Sequence, residues 1–466
     1  MRVLDQQKGM LRCSKTRPAM GPAVCYFSLS NHLITEAALQ PETRQIVVIG
    51  AGIVGICCAR WLQRDGHQVT VVDSEPPGEA CSFGNAGVFA TDSVIPLATP
   101  GIVRKAPGLL LRKDSGLDLR WSYLPRIAPW LARFMASARP SRWRPAMQAL
   151  TQLCAAADAA YQPLLQGSRA AELVKRTGWV TAYLSKRSFS KDQWELDERL
   201  RQGVSGRLLD AAALREVIPE LSPKVAGGFL FPDCVSCSDP GGLVQRLAAD
   251  LVSAGGRVEQ ARVQDLQPRD DAVDVRTDQG AIRADHVVVA CGIWSGRFAA
   301  ALGEPVPLET ERGYHAMLEQ PDFTPPMPVM SGDHKFVTSP MRAGVRLAGT
   351  TELGGLELPA NPERPGRMVT LAKRLFPGLR GAHYSEWMGF RPTLPDSLPV
   401  IGRSRVAQRV SYAFGHQHLG LTLAGITGRI IADDLAGRSH GVDLEALSIS
   451  RFARARSPMA GTENTV

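Results

Sequence analysis

An uncharged apolar run of the roughly 18 residues needed to cross a bilayer is missing from all 466 residues. The longest near the start, PAVCYFSLS at 22–30, is short and lacks a small-residue cleavage site, so secretion is not expected. Cysteine is scarce and odd in number, nine in all, with Cys57 and Cys58 adjacent in a helical pattern. That argues against a disulfide framework and for a reducing, cytoplasmic compartment. Low-complexity blocks and short repeats are also lacking, which excludes fibrous and solenoid architectures. What remains is 44% hydrophobic and 21% charged, a globular composition long enough for two domains. Residues 1–43 show no periodicity and read as a disordered extension, with Met10 and Met20 as alternative starts.

Negative charge is the scarcer sign, leaving a net +9. Residues 101–147 hold ten Lys or Arg against Asp114 and Asp118, interleaved with Leu109, Leu110, Leu111, Trp121, Tyr123, Trp130 and Phe134. Such a mixture suits an anionic membrane surface or a partner, and equally a solvated helical face. Nucleic acid is not expected, since no recognised binding module accompanies the charge.

The most informative stretch is VVIGAGIVG at 47–55, with glycines at 50, 52 and 55. A β-branched run precedes it and an apolar-periodic helix follows, with Val54, Cys58, Trp61 and Leu62 on one face. Next comes HQVTVVDSEP, a second strand ending in Asp73, placed to accept hydrogen bonds from ribose hydroxyls. Strand, glycine turn, helix, strand and acid in this order predict a dinucleotide site, with the pyrophosphate at the helix amino end. Asp73 disfavours a 2′-phosphate. NAD and FAD both fit to this point.

Two later features favour FAD. After Asp73 the chain enters a small-residue loop, ACSFGNAGVFATDSVIPLATPG, whose backbone can approach a flat ring. At the carboxyl end RVSYAFGHQHLGLTLAGITG reads as strand, glycine loop and helix, with Leu423, Ile426, Ile430 and Leu435 at helical spacing. That helix amino end suits the negative charge of a reduced flavin. Between them a helix from Pro240, capped by Asp239 and stopped at Gly255, leads into a small meander and the buried strand HVVVACG. The nucleotide domain is therefore split. CVSC at 234–237 has redox spacing but reads as a turn lacking a βαβ context. His416 and His418 lack a third ligand, so no metal is expected.

Taken together, VVIGAGIVG, TVVDS, SFGNAG, HVVVACGIWS, GFRPTLPDSLPVIG and FGHQHLGLTLAGITG resemble the D-amino-acid oxidase superfamily of FAD-dependent oxidoreductases, and CSFGNAG most resembles D-amino-acid dehydrogenases. The resemblance implies an α/β fold: a split Rossmann-type FAD-binding domain (44–100, 238–300, 386–440), an α+β substrate domain with an antiparallel sheet (101–237, 301–385) and a tail, 441–466. It implies that Gly50, Gly52, Ile53, Val54 and Gly55 line the pyrophosphate and Asp73 the ribose. Ser82, Phe83, Gly84, Asn85, Ala86 and Gly87 then face the flavin. Val263 packs near the adenine, while Ala290, Cys291, Gly292 and Trp294 abut the cofactor, and Gly415, His416, Gly420, Leu421 and Thr422 approach from the carboxyl end.

By the same resemblance Arg391 holds the carboxylate of an amino-acid substrate, which a planar two-pronged donor does well. Tyr314 and His315 sit on a strand in ETERGYHAML with side chains on opposite faces, so one of the two faces the ligand, Tyr314 being favoured. The implied reaction is hydride loss from the α-carbon of a D-amino acid, with the imine hydrolysed to a 2-oxo acid and ammonia. The electron acceptor is a quinone or oxygen. Alternatives are a secondary amine such as hydroxyproline, glycine or sarcosine as substrate, an NAD-dependent reductase, or a flavin-bearing subunit without catalysis.

Overall fold

The computed structural model describes residues 43–101, 108, 116–380 and 383–453. The expected extension at 1–43 lies outside these apart from its last residue, as does part of the basic segment.

The β-branched run Gln45–Ile49 buries four of its five side chains at the centre of a six-stranded sheet. Gln68–Asp73 lies beside it on one side and His286–Val289 on the other, both parallel. Arg257–Gln260 extends the first flank, and Val410–Phe414 the second, also in parallel. Val400–Arg403 closes the edge in antiparallel orientation. A parallel sheet needs cover on both faces. The helices Ile53–Arg64 and Gly420–Leu435 pack against each other on one side, within one apolar cluster. Burial of Ile53–Arg64 is therefore broader than the single face read from its periodicity: Ile56, Cys57 and Cys58 are buried, while Val54 and Trp61 are only half-buried. Asp239 caps Pro240–Ser253 by accepting from the Gly242 amide at 2.9 Å, as read from sequence.

The other large sheet has nine strands and is mostly antiparallel. Its order is Tyr384–Thr393, Glu309–Leu318, Gly344–Leu353, Phe336–Met341, Val329–Ser331, Trp179–Tyr183, Gly227–Phe231 and Arg207–Asp210, with Leu117–Leu119 beside Gly344–Leu353. Helix Glu363–Leu375 covers one face, packing Met368, Ala372 and Leu375 with Tyr314, Ala316 and Leu318. Residues 386–393, placed by sequence in the last nucleotide-binding segment, form an edge strand of this sheet instead.

CVSC is also not a turn. Val235–Cys237 is a strand pairing with Val88–Phe89 and Val174–Arg176. Both thiols are buried, and burial pushes Cys237 up to about 12. The described part of the tail is docked: Leu447 is buried and its carbonyl accepts from the Ile401 amide at 3.1 Å. The described part of the basic segment forms helix Leu124–Ser137, which buries only Ile127 and Trp130 and leaves Met135 and nearby Trp121 exposed.

Candidate functional site

The carboxyl ends of four neighbouring parallel strands carry the residues singled out in the sequence, where ligands bind in open α/β sheets. Gly50 to Gly55 follow Gln45–Ile49, Asp73 ends Gln68–Asp73, Ala290 to Gly292 follow His286–Val289, and Gly415 and His416 follow Val410–Phe414. Gly50 has φ +113°, and a Cβ there would stand 2.5 Å from the Ala290 carbonyl oxygen. Only glycine tolerates both demands. Gly50→Ala is therefore expected to yield protein that purifies without yellow colour or fails to accumulate, checked by the flavin-to-protein absorbance ratio.

Asp73 is held by the turn it faces. Its two carboxylate oxygens accept from the Ala51 amide at 2.7 Å and the Glu75 amide at 3.1 Å. Each oxygen keeps a further lone pair for a ribose hydroxyl. The Ser82 hydroxyl accepts from the Ile53 amide at 3.0 Å, at the amino end of helix Ile53–Arg64. The Gly50 cradle, that helix terminus and the acid suit a dinucleotide pyrophosphate and ribose. Val263 is buried with Ile49 and Val72 below Asp73, whose carbonyl accepts from the Ala261 amide at 2.8 Å.

Loop 82–87 is fastened to the nine-stranded sheet by its carbonyls. Arg346, buried, donates to the Phe83 and Asn85 carbonyls at 2.8 and 2.7 Å. Ser339 donates to the Ala86 carbonyl at 2.6 Å, and the His315 Nδ1 approaches the Gly84 carbonyl at 3.4 Å. The Asn85 side chain turns back to accept from the Gly87 amide at 2.8 Å. Sequence reading missed Arg346 and Ser339, which stand about 250 residues away without a motif of their own.

Strand pairing separates Tyr314 from His315 relative to Arg391. Glu311, Gly313 and His315 stand directly opposite Arg391, Gly389 and Trp387. Directly paired residues share a face, so His315 lies on the face of Arg391 and Tyr314 does not. The Tyr314 hydroxyl donates to Glu352 at 3.1 Å and accepts from the Asn361 amide at 3.0 Å in the core on the far side. His315 stacks on Trp387 with ring centres 5.2 Å apart. The Trp387 ring occupies the space that Cβ atoms on Gly84 and Gly389 would fill. Its signal was the two-residue period 387, 389, 391 within one strand.

Arg391 lies over Gly313 and donates to the Thr350 carbonyl at 3.0 Å. Burial lowers its pKa, while the carboxylate of Glu311 acts in the opposite sense. Burial likewise raises Glu311, against the pull of Arg391. His315 is pushed down to about 4 by burial and then by the Arg346 charge. His416 does not face the cleft as expected: its Nε2 bonds the Thr427 hydroxyl at 2.9 Å, and burial lowers it to about 3. Leu421 and Thr422 are buried too, the first accepting from the Tyr161 hydroxyl at 2.6 Å and the second from the Ala90 amide at 3.0 Å. Trp294 is exposed in the turn Gly292–Trp294.

Comparison with known proteins places this geometry. Residues 45–434 match the family described as FAD dependent oxidoreductase, DAO. The chain is 37% identical over 421 residues to a D-amino-acid oxidase of Bradyrhizobium diazoefficiens, covering 88% of this chain and 100% of the relative. It is 30% identical over 419 residues to a D-amino acid dehydrogenase of Paramagnetospirillum magneticum, covering 88% and 99%. Among solved structures, glycine oxidase from Geobacillus kaustophilus superposes with a TM-score of 0.67 at 20% identity, covering 88% of this chain and all of the other. L-proline dehydrogenase from P. horikoshii gives 0.67 at 19%, covering 88% and 98%. A family match over nearly the whole described chain, with the strand–turn–helix cradle at its head, leaves one reading: the chain belongs to the DAO family of FAD-dependent oxidoreductases.

Proposed function

We propose that the protein oxidises the α-carbon of a D-amino acid, with Arg391 as the carboxylate anchor and His315 and Trp387 beside it. The observation that carries this reading is the placement of Arg391 and the flavin-facing loop 82–87 against one face of the same two strands. FAD supplies the hydride acceptor. Gly50 to Gly55 and Asp73 hold its pyrophosphate and ribose, and loop 82–87 its ring side.

The chain's own part is orientation. Arg391 keeps one N–H on Thr350, which fixes the guanidinium plane and leaves further donors for a carboxylate. The Glu311 carboxylate opposite acts against the burial that lowers the Arg391 pKa, which helps keep the guanidinium charged. A fixed carboxylate fixes the α C–H. The imine product hydrolyses to a 2-oxo acid and ammonia.

Exposed Trp121 and Met135, with exposed Arg126 and Arg133 on helix Leu124–Ser137, support docking on an anionic membrane with a quinone as acceptor. The expected location is the inner face of the cell membrane.

Anaerobic mixing with D- and L-amino acids, glycine, sarcosine and both hydroxyproline stereoisomers tests the reading. D-Amino acids are expected to bleach the flavin band near roughly 450 nm, and a quinone to restore it faster than air. A bound flavin that none of these bleaches overturns the reading and favours a non-catalytic subunit.

A further inference from the structure

From Val410 to Gly428 every side chain is buried apart from half-buried Gly420 and one residue that is exposed, His418. This is not an outer surface. Surrounding protein partly desolvates the imidazole, and it feels the charge of Arg391. An exposed side chain on an otherwise buried stretch marks the wall of a cleft, and half-buried Arg391 lies near enough for its charge to act on it.

The main chain explains the position. Thr393 and His416 form an antiparallel bridge. Gln417 then takes φ +53°, an uncommon conformation for a residue with a side chain, and its side-chain Nε2 donates to the Leu394 carbonyl at 3.1 Å. The turn Gln417–Leu419 is thereby pinned to the end of the strand that carries Arg391. His315, the other imidazole near the cleft, is buried and committed to Trp387 and the Gly84 carbonyl.

The geometry points to His418 as the residue that takes the proton from the substrate's ammonium group once Arg391 holds the carboxylate. This rests on the amino-acid reading above. A zwitterionic amino acid has no lone pair on nitrogen with which to expel hydride. In the proposed step an ammonium N–H bond breaks, its electron pair stays on nitrogen, and the proton forms a new N–H bond on the imidazole. The proton then leaves to solvent through the exposed edge of His418.

Charge coupling gives the step its timing. Burial, and secondly the Arg391 charge, hold His418 near pKa 4 in the substrate-free protein, so the ring is unprotonated at neutral pH. A carboxylate seated on Arg391 cancels the second cause, and the proton affinity of His418 rises only with ligand in place. Arg391 is the charged group acting on the ring. Glu311 and Cys81 act on Arg391, and neighbouring His416 is neutral and bonded to Thr427.

The first test needs no turnover. Flavin-loaded protein is titrated with benzoate, a carboxylate without an amine, from about pH 5 to about pH 9. A group whose pKa rises on binding makes affinity increase as pH falls through its bound-state value. Benzoate is therefore expected to bind more tightly at low pH, and His418→Asn to abolish that slope while keeping binding at high pH. An unchanged slope in His418→Asn, or none in the parent, overturns the assignment. In the second test, anaerobic flavin reduction by the best D-amino acid is expected to slow about 10²-fold at pH 7 in His418→Asn. It should recover above the ammonium pKa, where free amine is supplied. Equal slowing at every pH overturns the proton role, whereas failure of the parent to be reduced by any amino acid overturns the functional reading instead.

Discussion

Arg391→Leu is expected to lower kcat/KM for the amino acid by about three orders of magnitude while the protein still purifies yellow. Removing one member of a buried, hydrogen-bonded charge pair costs roughly 4 kcal/mol, and each 1.36 kcal/mol is about tenfold in rate. Flavin is retained because Arg391 lies on an edge strand of the nine-stranded sheet, apart from the Gly50 turn and Asp73. Arg391→Lys should fall between, since a point charge keeps attraction but loses the planar fork. Glu311 sharpens the test. Without Arg391 only hydrogen bonds from Thr393 and Thr351 oppose the burial that already raises this carboxyl, so it stays protonated to higher pH in the leucine variant. Stopped-flow reduction checks the rate, and a leucine enzyme within tenfold of its parent would place the substrate carboxylate elsewhere.

Arg312→Met should cost about 3–5 kcal/mol of stability, the usual penalty for orphaning a buried charge. Arg312 and Glu352 form an ion pair at 3.1 Å with neither side chain exposed. The guanidinium also donates to the carbonyls of Gly355, Leu358 and Pro359 at 2.6, 2.6 and 3.1 Å, tying down the segment before helix Glu363–Leu375. The single change leaves a carboxylate in the core with Tyr314 as its remaining partner. The double change Arg312→Met with Glu352→Leu is expected to recover much of the loss, because no charge is then stranded. Denaturant titration of the parent and three variants closes the cycle, and additive losses would show that the pair is not coupled.

The nucleotide cradle was readable because its signal is local: the buried run, the glycine turn, the helix and the acid all fall between residues 45 and 73. The split of the domain was readable from capping at Asp239 and from the buried run His286–Val289. Faces were harder. Alternation in ETERGYHAML separates Tyr314 from His315, yet which side meets loop 82–87 depends on a helix 50 residues later that covers the other side. The same long range hid Arg312 with Glu352 and Arg346 with Phe83. His418 was visible only as one of two histidines in a loop. Its difference from His416, buried on Thr427 against exposed, arises at the turn through Gln417.

The six-stranded sheet draws on four stretches of chain: 45–73, 257–260, 286–289 and 400–414. A ribosome delivers them in that order, so Gln45–Ile49 and Gln68–Asp73 wait unflanked while the intervening strands of the other sheet are made. Contacts of such sequence separation close slowly, and Val410–Phe414 with helix Gly420–Leu435 is the last part of this sheet and its cover to be made. A complete cofactor seat therefore waits for residues 400–435, and a chain cut before residue 400 carries the glycine turn without the strands and helix that flank it.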